Sequence, residues 1–250
     1  MTGQHLVLAA SVAINCLFVG ALGVLTYKRG GIGYLSARFF NQTLLSPVDG
    51  YRIHRKALFS LFESATLVSK RPIVFLGDSI TEGCDWHEMF GGEGIVINRG
   101  ISGDTTASLL GRIGSIAVMH PRAVFLMIGV NDCVGLGLKP SEAMQNYRAA
   151  VERIRAESPT TIIYLQSILP VMDSWGQKRN ECIVETNRLI RSLADGKTIV
   201  FVDLYGYFVD SASVNPRLTC DGLHLNADGY ALWREIVAPY VRTHLLQQTE

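Results

Sequence analysis

The sequence predicts an α/β fold with a five-stranded parallel sheet, and three observations lead to that prediction. Short runs that are apolar throughout recur along the chain, as strands buried on both faces of a sheet do. Segments with the apolar spacing of a helix separate these runs. The separating segments are long enough to hold the crossover helix that a parallel connection needs. The alternation therefore predicts a parallel sheet covered on both sides by helices.

The predicted elements follow one another in a regular order. The strands are expected at residues 73–76, 95–98, 123–129, 161–165 and 198–202. The helices are expected at residues 51–70, after Asp104, from Pro140, at 178–193 and at 227–245. Pro72 would end the first helix, because proline lacks the N–H that a helix interior requires. Asp104 would cap the second helix through its carboxylate.

The N-terminal segment differs in kind from the rest of the chain. Residues 6–27 are almost wholly apolar, which is long enough for a helix to cross a bilayer core of about 30 Å. A cleaved signal peptide is the alternative, but residues 1–5 lack a basic region and no small-residue cleavage site precedes the charges. We therefore predict three parts: an N-terminal transmembrane anchor at 1–29, a linker at 30–50 and a globular domain at 51–250.

The side of the membrane is left open by the sequence. Lys28, Arg29 and Arg38 follow the apolar segment, so the positive-inside rule alone would place the C-terminal domain in the cytoplasm. That bias rests on a few charges. The prediction is a single-pass membrane protein of undetermined orientation and oligomeric state.

Composition excludes several classes of function. The net charge is +1 and no long basic cluster occurs, so binding to nucleic acid is not expected. The five cysteines form no CxxC pair and predict neither a disulfide framework nor a zinc site. Cys84, Cys133 and Cys220 nevertheless fall close to the motifs described next, and the sequence gives them no role. No complete nucleotide-binding motif and no metal-ligand spacing is present, so no cofactor is predicted.

Four polar motifs follow the predicted strands. Gly77-Asp78-Ser79 follows the first strand and Ser102-Gly103-Asp104 the second. Asn131-Asp132 follows the third strand, and Asp221-Gly222-Leu223-His224 lies after the fifth. The carboxyl ends of parallel strands lie at one edge of the sheet, so the four motifs are expected to converge there.

The converging residue types suit nucleophilic catalysis. Ser79 needs a base to take its proton, and a neutral imidazole such as that of His224 is the usual base near pH 7. Asp221 lies three residues before His224 and can fix the tautomer of its ring. Backbone N–H groups of Ser79 and Gly103 and the amide of Asn131 can stabilise an oxyanion. Each motif alone is more often a turn or a cap. Chance does not readily account for all four motifs occurring in this order after the predicted strands.

Together these motifs resemble the four blocks of the SGNH (GDSL-type) esterase and lipase superfamily. The segment Ile101-Ser102-Gly103-Asp104-Thr105-Thr106 is most similar to two branches, the platelet-activating-factor acetylhydrolase catalytic subunits and the bacterial thioesterase/lysophospholipase type. The resemblance spans about residues 72–240. It implies a flavodoxin-like, three-layer α/β/α sandwich that hydrolyses acyl esters without metal or cofactor. It also implies site roles: Ser79 as nucleophile, His224 as base, Asp221 as its partner, and Ser79, Gly103 and Asn131 as oxyanion donors.

We therefore predict a membrane-anchored serine esterase with an ester as its small-molecule or lipid substrate. Lipid or lysophospholipid acyl esters are favoured, because the anchor would hold the site near a bilayer. Removal of O-acetyl groups from a glycan or cell-envelope polymer is the first alternative, and thioester hydrolysis is the second. A binding or scaffold protein on a catalytically silent hydrolase fold is the non-enzymatic alternative. Acyl chain length and leaving group are not predictable from the sequence.

Overall fold

The computed structural model of the chain describes residues 20, 23–24, 46–62, 71–91 and 96–246. Two compact units divide the chain, Met1–Tyr51 and Arg52–Glu250. Within the first unit, the Ser46 hydroxyl accepts a hydrogen bond from the Asp49 backbone N–H at 3.0 Å and so caps the helix that begins at Pro47. That helix begins inside the segment predicted as a linker.

The predicted transmembrane anchor lies outside the described residues, apart from Gly20, Gly23 and Val24. A search of the described ranges for a helix with the length and apolarity of a bilayer span finds none.

A five-stranded parallel sheet forms the centre of the second unit. Its strand order is β2-β1-β3-β4-β5, which is the flavodoxin-like order of a doubly wound sheet. The strands are β1 (Ile73–Gly77), β2 (Val96–Gly100), β3 (Ala123–Met127), β4 (Ile162–Gln166) and β5 (Ile199–Val202). A separate two-stranded hairpin consists of β6 (Val209–Asp210) and β7 (Ser213–Val214). The predicted α/β class, the number of main strands and their parallel direction are confirmed.

Helices follow the strands as predicted, although several are shorter. The helices are α1 (Pro47–Phe62), α2 (Ser79–Glu82), α3 (Trp86–Met89), α4 (Thr106–Leu110), α5 (Ile113–Ala117), α6 (Pro140–Glu157), α7 (Gln177–Arg191), α8 (Tyr205–Phe208) and α9 (Ala227–Leu246). A π-helical turn covers Asn131–Leu136, and 3₁₀ turns cover Asp173–Trp175 and Pro216–Leu218. Residues 63–70, predicted to continue the first helix, lie outside the described residues.

Aromatic side chains pack across one face of the sheet. Phe75, Phe125 and Tyr164 occupy paired positions on β1, β3 and β4. The ring centroids of Phe75 and Phe125 lie 4.8 Å apart, and those of Phe125 and Tyr164 lie 4.5 Å apart. Trp86 stacks on Phe75 at 3.9 Å and meets Trp233 of α9 edge to face. The helix α6 contacts α4, α5 and α7, and these four helices form a second group. The sheet is therefore flanked by helices around a continuous apolar core.

Trp86 follows the nucleophile motif closely along the chain. It is fully buried in the aromatic core. Its indole N–H donates to the Thr81 carbonyl at 2.9 Å. This tryptophan therefore supports α2, the helix that follows β1, from the apolar core.

The helix expected after Asp104 is also different from the prediction. It is divided into α4 and α5, and Thr105, not Asp104, is the N-cap of α4. The Thr105 hydroxyl accepts from the Ser108 N–H at 3.3 Å, and the Ser108 hydroxyl accepts from the Thr105 N–H at 2.7 Å. This reciprocal pair forms a capping box. The buried Asp104 carboxylate instead accepts a hydrogen bond from Arg112. The cap position is therefore filled by the next residue, Thr105.

The cysteine prediction was wrong for one pair. Cys133, in the π-helical turn, and Cys182, in α7, form a disulfide with their Cα atoms 5.8 Å apart. The two residues are 49 positions apart, so no local spacing indicates the bond. Cys84 is buried, as a small apolar residue would be, whereas Cys220 is exposed. The disulfide ties the turn that begins with Asn131 to the helix layer.

Candidate active site

Ser79 lies directly beyond the end of β1, as the first residue of α2. Gly77, at the end of β1, lets α2 and β3 lie close to the strand, because a Cβ at this position would collide with the Thr81 side chain and the Met127 carbonyl. The buried Asp78 carboxylate accepts from the Ile80 N–H at 3.0 Å and caps α2. The N–H of Ser79 itself is at the first position of the helix, where no intrahelical acceptor exists.

Asn98 of β2 holds the other end of α2 in place. Its side-chain amide donates to the carbonyls of Thr81, Glu82 and Cys84 at 3.0, 3.1 and 2.7 Å. The carbonyls at the end of a helix lack intrahelical donors, and this single amide supplies them. The position of Ser79 is therefore fixed from both ends of its short helix.

Ser79, His224 and Asp221 form a continuous chain of contacts. Ser79 Oγ lies 2.9 Å from His224 Nε2, although the two residues are 145 positions apart. His224 Nδ1 lies 2.7 Å from Asp221 Oδ2. The other carboxylate oxygen of Asp221 accepts the backbone N–H groups of Leu223 and His224 at 2.9 and 2.7 Å. The side chains of His224 and Asp221 are 39 and 46 % exposed, so this part of the site is open to solvent.

The pKa of Asp221 reflects these contacts. Partial burial raises the pKa of this carboxyl, but the hydrogen bonds from the His224 ring and from the backbone N–H groups of His224 and Leu223 outweigh it. The net result is a pKa below the ordinary aspartate value. Asp221 is therefore ionised at neutral pH and can accept the Nδ1 proton of His224.

The loop that carries His224 is braced on two sides. The Thr219 hydroxyl donates to the His224 carbonyl at 2.7 Å and accepts from the Gly222 N–H at 2.9 Å. The Met172 N–H donates to the Gly222 carbonyl at 2.8 Å. Met172 belongs to the loop at residues 168–176, and this contact places that loop beside the histidine loop.

The three predicted oxyanion donors lie on segments that are joined to one another. Gly103 has a φ of +74°, a backbone conformation that L side chains rarely adopt. Within the described ranges its N–H donates to no protein acceptor. The Asn131 amide donates one hydrogen to the Asp104 carbonyl at 2.9 Å, which leaves its second hydrogen for a ligand. The backbone next to Gly103 therefore orients the Asn131 side chain.

Asp132 makes a second connection between the same segments. Its buried carboxylate accepts the Thr106 backbone N–H at 3.0 Å and the Thr106 hydroxyl at 2.6 Å. Burial raises the pKa of Asp132, and the hydrogen bonds from Thr106 oppose that rise. The residue after Asn131 thus binds the start of α4, close to the Gly103 turn.

A buried ion pair beneath the site was not anticipated from the sequence. Arg112 Nε lies 2.7 Å from Asp104 Oδ2, and the two side chains are 6 and 0 % exposed. Arg112 Nη2 also donates to the Gly77 carbonyl at 3.0 Å. Burial lowers the pKa of Arg112, and the Asp104 carboxylate opposes that effect. The sequence did contain a signal, because Arg112 is the one charged residue between Leu109 and Ile116.

Three other histidines take no part in this contact chain. His87 and His120 are exposed. His244 is buried and its Nε2 lies 2.9 Å from the Tyr164 hydroxyl, within the aromatic layer. Among the described residues no group of three or more His, Cys, Asp and Glu side chains has the arrangement of a metal site.

The fold and this edge together have the parts of a particular class of protein. A serine, an imidazole and a carboxylate in successive contact at the carboxyl edge of a doubly wound sheet are the parts of a hydrolase with a serine nucleophile. The model of the GDSL-like lipase/acylhydrolase family matches residues 75–232, more than half of the chain. The chain belongs to this family, and it is an ester hydrolase.

Relatives from both expected branches are similar to this chain. It is 26 % identical over 191 residues to thioesterase 1/protease 1/lysophospholipase L1 of Escherichia coli K12, an alignment that covers 71 % of this chain and 86 % of that protein. It is 28 % identical over 169 residues to the bovine platelet-activating factor acetylhydrolase IB subunit alpha1, covering 63 % and 69 %. The predicted resemblance is confirmed.

A solved structure agrees with the fold. The GDSL-like lipase of Bacteroides thetaiotaomicron is 25 % identical, with a TM-score of 0.64. The superposition covers 75 % of this chain and 97 % of that one.

The ionisation of Asp78 gives a prediction for stability. Burial raises the pKa of this carboxyl to about 7; the Ile80 N–H opposes the rise and the Asp104 charge adds to it. Because the pKa is higher in the folded than in the unfolded protein, Asp78 favours folding below pH 4 and loses that contribution as the pH rises towards 7. We expect Asp78→Asn to raise the free energy of unfolding, relative to wild type, more at pH 8 than at pH 4, by at most about 4 kcal/mol.

Urea denaturation of both proteins at pH 4, 6 and 8 measures this difference. Asparagine retains the oxygen that caps α2, so the variant removes the charge and keeps the cap. A constant difference between variant and wild type across the three pH values would contradict the prediction.

Proposed function

We propose that Ser79 is the nucleophile of this ester hydrolase, with His224 as its general base and Asp221 as the group that orients the base. The observation that carries this assignment is the contact chain of 2.9 and 2.7 Å from Ser79 through His224 to Asp221. The Ser79 oxygen bonds to the ester carbonyl carbon while its proton passes to His224 Nε2. Asp221 accepts the hydrogen bond from Nδ1 and stabilises the imidazolium.

The tetrahedral intermediate would be stabilised by the N–H groups of Ser79 and Gly103 and the free amide hydrogen of Asn131. These donors are fixed before the substrate binds, because Asn131 is held by the Asp104 carbonyl and the Gly103 turn by its neighbours. Donors that need no reorganisation are worth most to the transition state.

Collapse of the intermediate breaks the bond to the alkoxy oxygen, and the alcohol leaves with the proton from His224. The acyl group remains on Ser79 as an ester. Water then loses a proton to His224, attacks the acyl carbon and releases the carboxylic acid and the serine hydroxyl. The cycle consumes one ester and one water, and the site residues return to their initial protonation states.

Active-site labelling tests this assignment directly. We expect a fluorophosphonate to modify wild-type protein at Ser79, to leave Ser79→Ala unmodified, and to modify His224→Ala far more slowly, since the serine then lacks its base. Peptide mass spectrometry locates the adduct. Folded wild-type protein that resists labelling would contradict the assignment and favour the scaffold alternative.

We further propose lipid or lysophospholipid acyl esters as the substrate class. Two observations support the choice: the similarity to a protein named lysophospholipase L1, and the apolar N-terminal segment that would hold the site near a bilayer. The exposed His224 and Asp221 side chains leave room for a large leaving group. Hydrolysis of thioesters is the second candidate, since the same relative is also named a thioesterase. O-acetyl groups of a glycan or cell-envelope polymer, the first alternative from the sequence, become the third candidate.

A substrate panel separates these candidates. We expect kcat/KM for a lysophospholipid in detergent micelles to exceed that for an acetylated sugar and an acyl thioester, with Ser79→Ala as the background for each. The lysophospholipid and the thioester carry the same acyl chain, so that pair differs only in the leaving group. A higher value for the acetylated sugar would reverse the proposed order.

The proposed location is a membrane, through residues 1–29 as a single-pass anchor. The charges after the apolar segment favour a cytoplasmic domain, but the Cys133–Cys182 disulfide favours the opposite side, because disulfides persist mainly in oxidising compartments. A disulfide between buried structural elements is the stronger indication. We therefore propose that the catalytic unit faces the oxidising side.

Thiol labelling in cells tests the orientation. In spheroplasts of a bacterial host that express the full chain, we expect a membrane-impermeant maleimide to label exposed Cys220, with Cys220→Ser as the unlabelled control. Cys84 stays unreactive because burial raises the pKa of its thiol to about 12. Labelling that requires lysis would place the unit in the cytoplasm.

A further inference from the structure

Residues 52–62 of α1 lie outside the region that the family model matches, residues 75–232, yet they contact the predicted oxyanion loop. Arg52 Nη2 donates to the Gly103 carbonyl. The same nitrogen lies 3.6 Å from Asp104 Oδ1. The guanidinium is close enough that a Cβ on Gly103 would lie 3.5 Å from it. Arg52 thus holds the peptide group between Gly103 and Asp104 through its carbonyl.

A second arginine of α1, Arg55, is connected to the residue that precedes Gly103. Arg55 Nε lies 2.8 Å from Glu82 Oε1 at the end of α2. The other oxygen of that carboxylate accepts the Ser102 N–H at 2.8 Å and the Ser102 hydroxyl at 2.5 Å. Arg55 therefore holds the Glu82 carboxylate, and this carboxylate fixes the peptide group between Ile101 and Ser102.

The α1 segment is itself seated firmly. Phe59 is 6 % exposed, and the guanidinium groups of Arg55 and Arg99 lie over its ring at 4.8 and 4.5 Å from the centroid. Arg99 belongs to β2, so these cation–π contacts join α1 to the sheet. Arg52 and Arg55 project from a fixed support.

These contacts hold the two peptide groups that flank the oxyanion donor. The N–H of Gly103 belongs to the peptide between Ser102 and Gly103. The preceding peptide is held through the Ser102 N–H by Glu82, and the following peptide is held through the Gly103 carbonyl by Arg52. Gly103 has soft backbone torsions, as glycine does, so the direction of its N–H depends on such outside restraints.

We propose that Arg52 and Arg55 are positioning residues that aim the Gly103 N–H at the developing oxyanion. The proposal rests on the proposed function of Ser79, Gly103 and Asn131. Misaligned donors lower the stabilisation of the transition state more than that of the bound ester, so the loss falls on kcat. Neither arginine touches the reacting atoms.

The test compares Arg52→Ala, Arg52→Lys and Arg55→Ala in the full chain with Arg188→Ala as a matched control. Arg188 pairs with Glu185 on the exposed surface of α7, in an ion pair that includes no residue of the four motifs. We expect Arg52→Ala to lower kcat by about 10- to 100-fold with KM changed less than about twofold, a misplacement effect. Arg52→Lys should recover most of the loss, because an ammonium can still donate to the Gly103 carbonyl.

A second readout separates positioning from general destabilisation. The fluorophosphonate adduct places a phosphoryl oxygen where the oxyanion develops, so the labelling rate of Ser79 should fall with kcat in Arg52→Ala and Arg55→Ala. Asn131→Ala provides the scale for loss of a whole donor, about 10²- to 10³-fold. Arg188→Ala should label and turn over as wild type does.

The outcomes distinguish the two proposals. Wild-type protein that is labelled at Ser79, with folded Arg52→Ala of unchanged kcat and labelling rate, overturns the positioning role and leaves the function intact. Wild-type protein that is not labelled overturns both. An equal loss in Arg188→Ala, or a loss confined to KM, also overturns the positioning role. If Arg52→Ala does not fold, Arg52→Lys and Arg55→Ala, checked by thermal denaturation, decide by the same criteria.

Discussion

The site depends on one buried guanidinium, that of Arg112. It binds the Asp104 carboxylate at 2.7 Å and the Gly77 carbonyl at 3.0 Å, so it joins the end of β1 to the turn that carries Gly103. The Asp104 carbonyl in turn accepts the Asn131 amide. Removing either charge would deprive the other, buried one of its closest partner, which is more costly than losing a surface pair. Three segments distant in sequence therefore share one support below the reacting groups.

The convergence of the four motifs was predictable because parallel strands leave little freedom at their carboxyl ends. Each strand that enters the sheet in the same direction delivers its following loop to the same edge, so Ser79, Gly103 and Asn131 meet once the strand order is right. Asp221 and His224 arrive on a long loop, and the sequence could indicate only their mutual spacing. The 2.9 Å contact between Ser79 and His224 depends on braces such as Thr219 that no pattern reveals.

The errors have a common physical origin. Asp104 has the sequence of a helix cap, but a buried arginine eight residues later binds the same carboxylate at 2.7 Å, and Thr105 takes the cap position instead. The Cys133–Cys182 bond likewise joins residues whose distance is set by tertiary packing alone. Local patterns predict elements and their direction. They do not predict which residue, distant along the chain, a given side chain will bind in the folded protein.

The position of α1 has a consequence for how the family varies. Residues 52–62 contact the Gly103 turn although they precede residues 75–232, the part of the chain that the family model matches. On the proposed role of Arg52 and Arg55, turnover can change through an upstream helix while every motif residue stays the same. Two homologues with identical motif blocks then need not be equally fast catalysts, and a domain cut at residue 75 would keep Ser79, His224 and Asp221 but lose the contacts of α1 with the Gly103 turn.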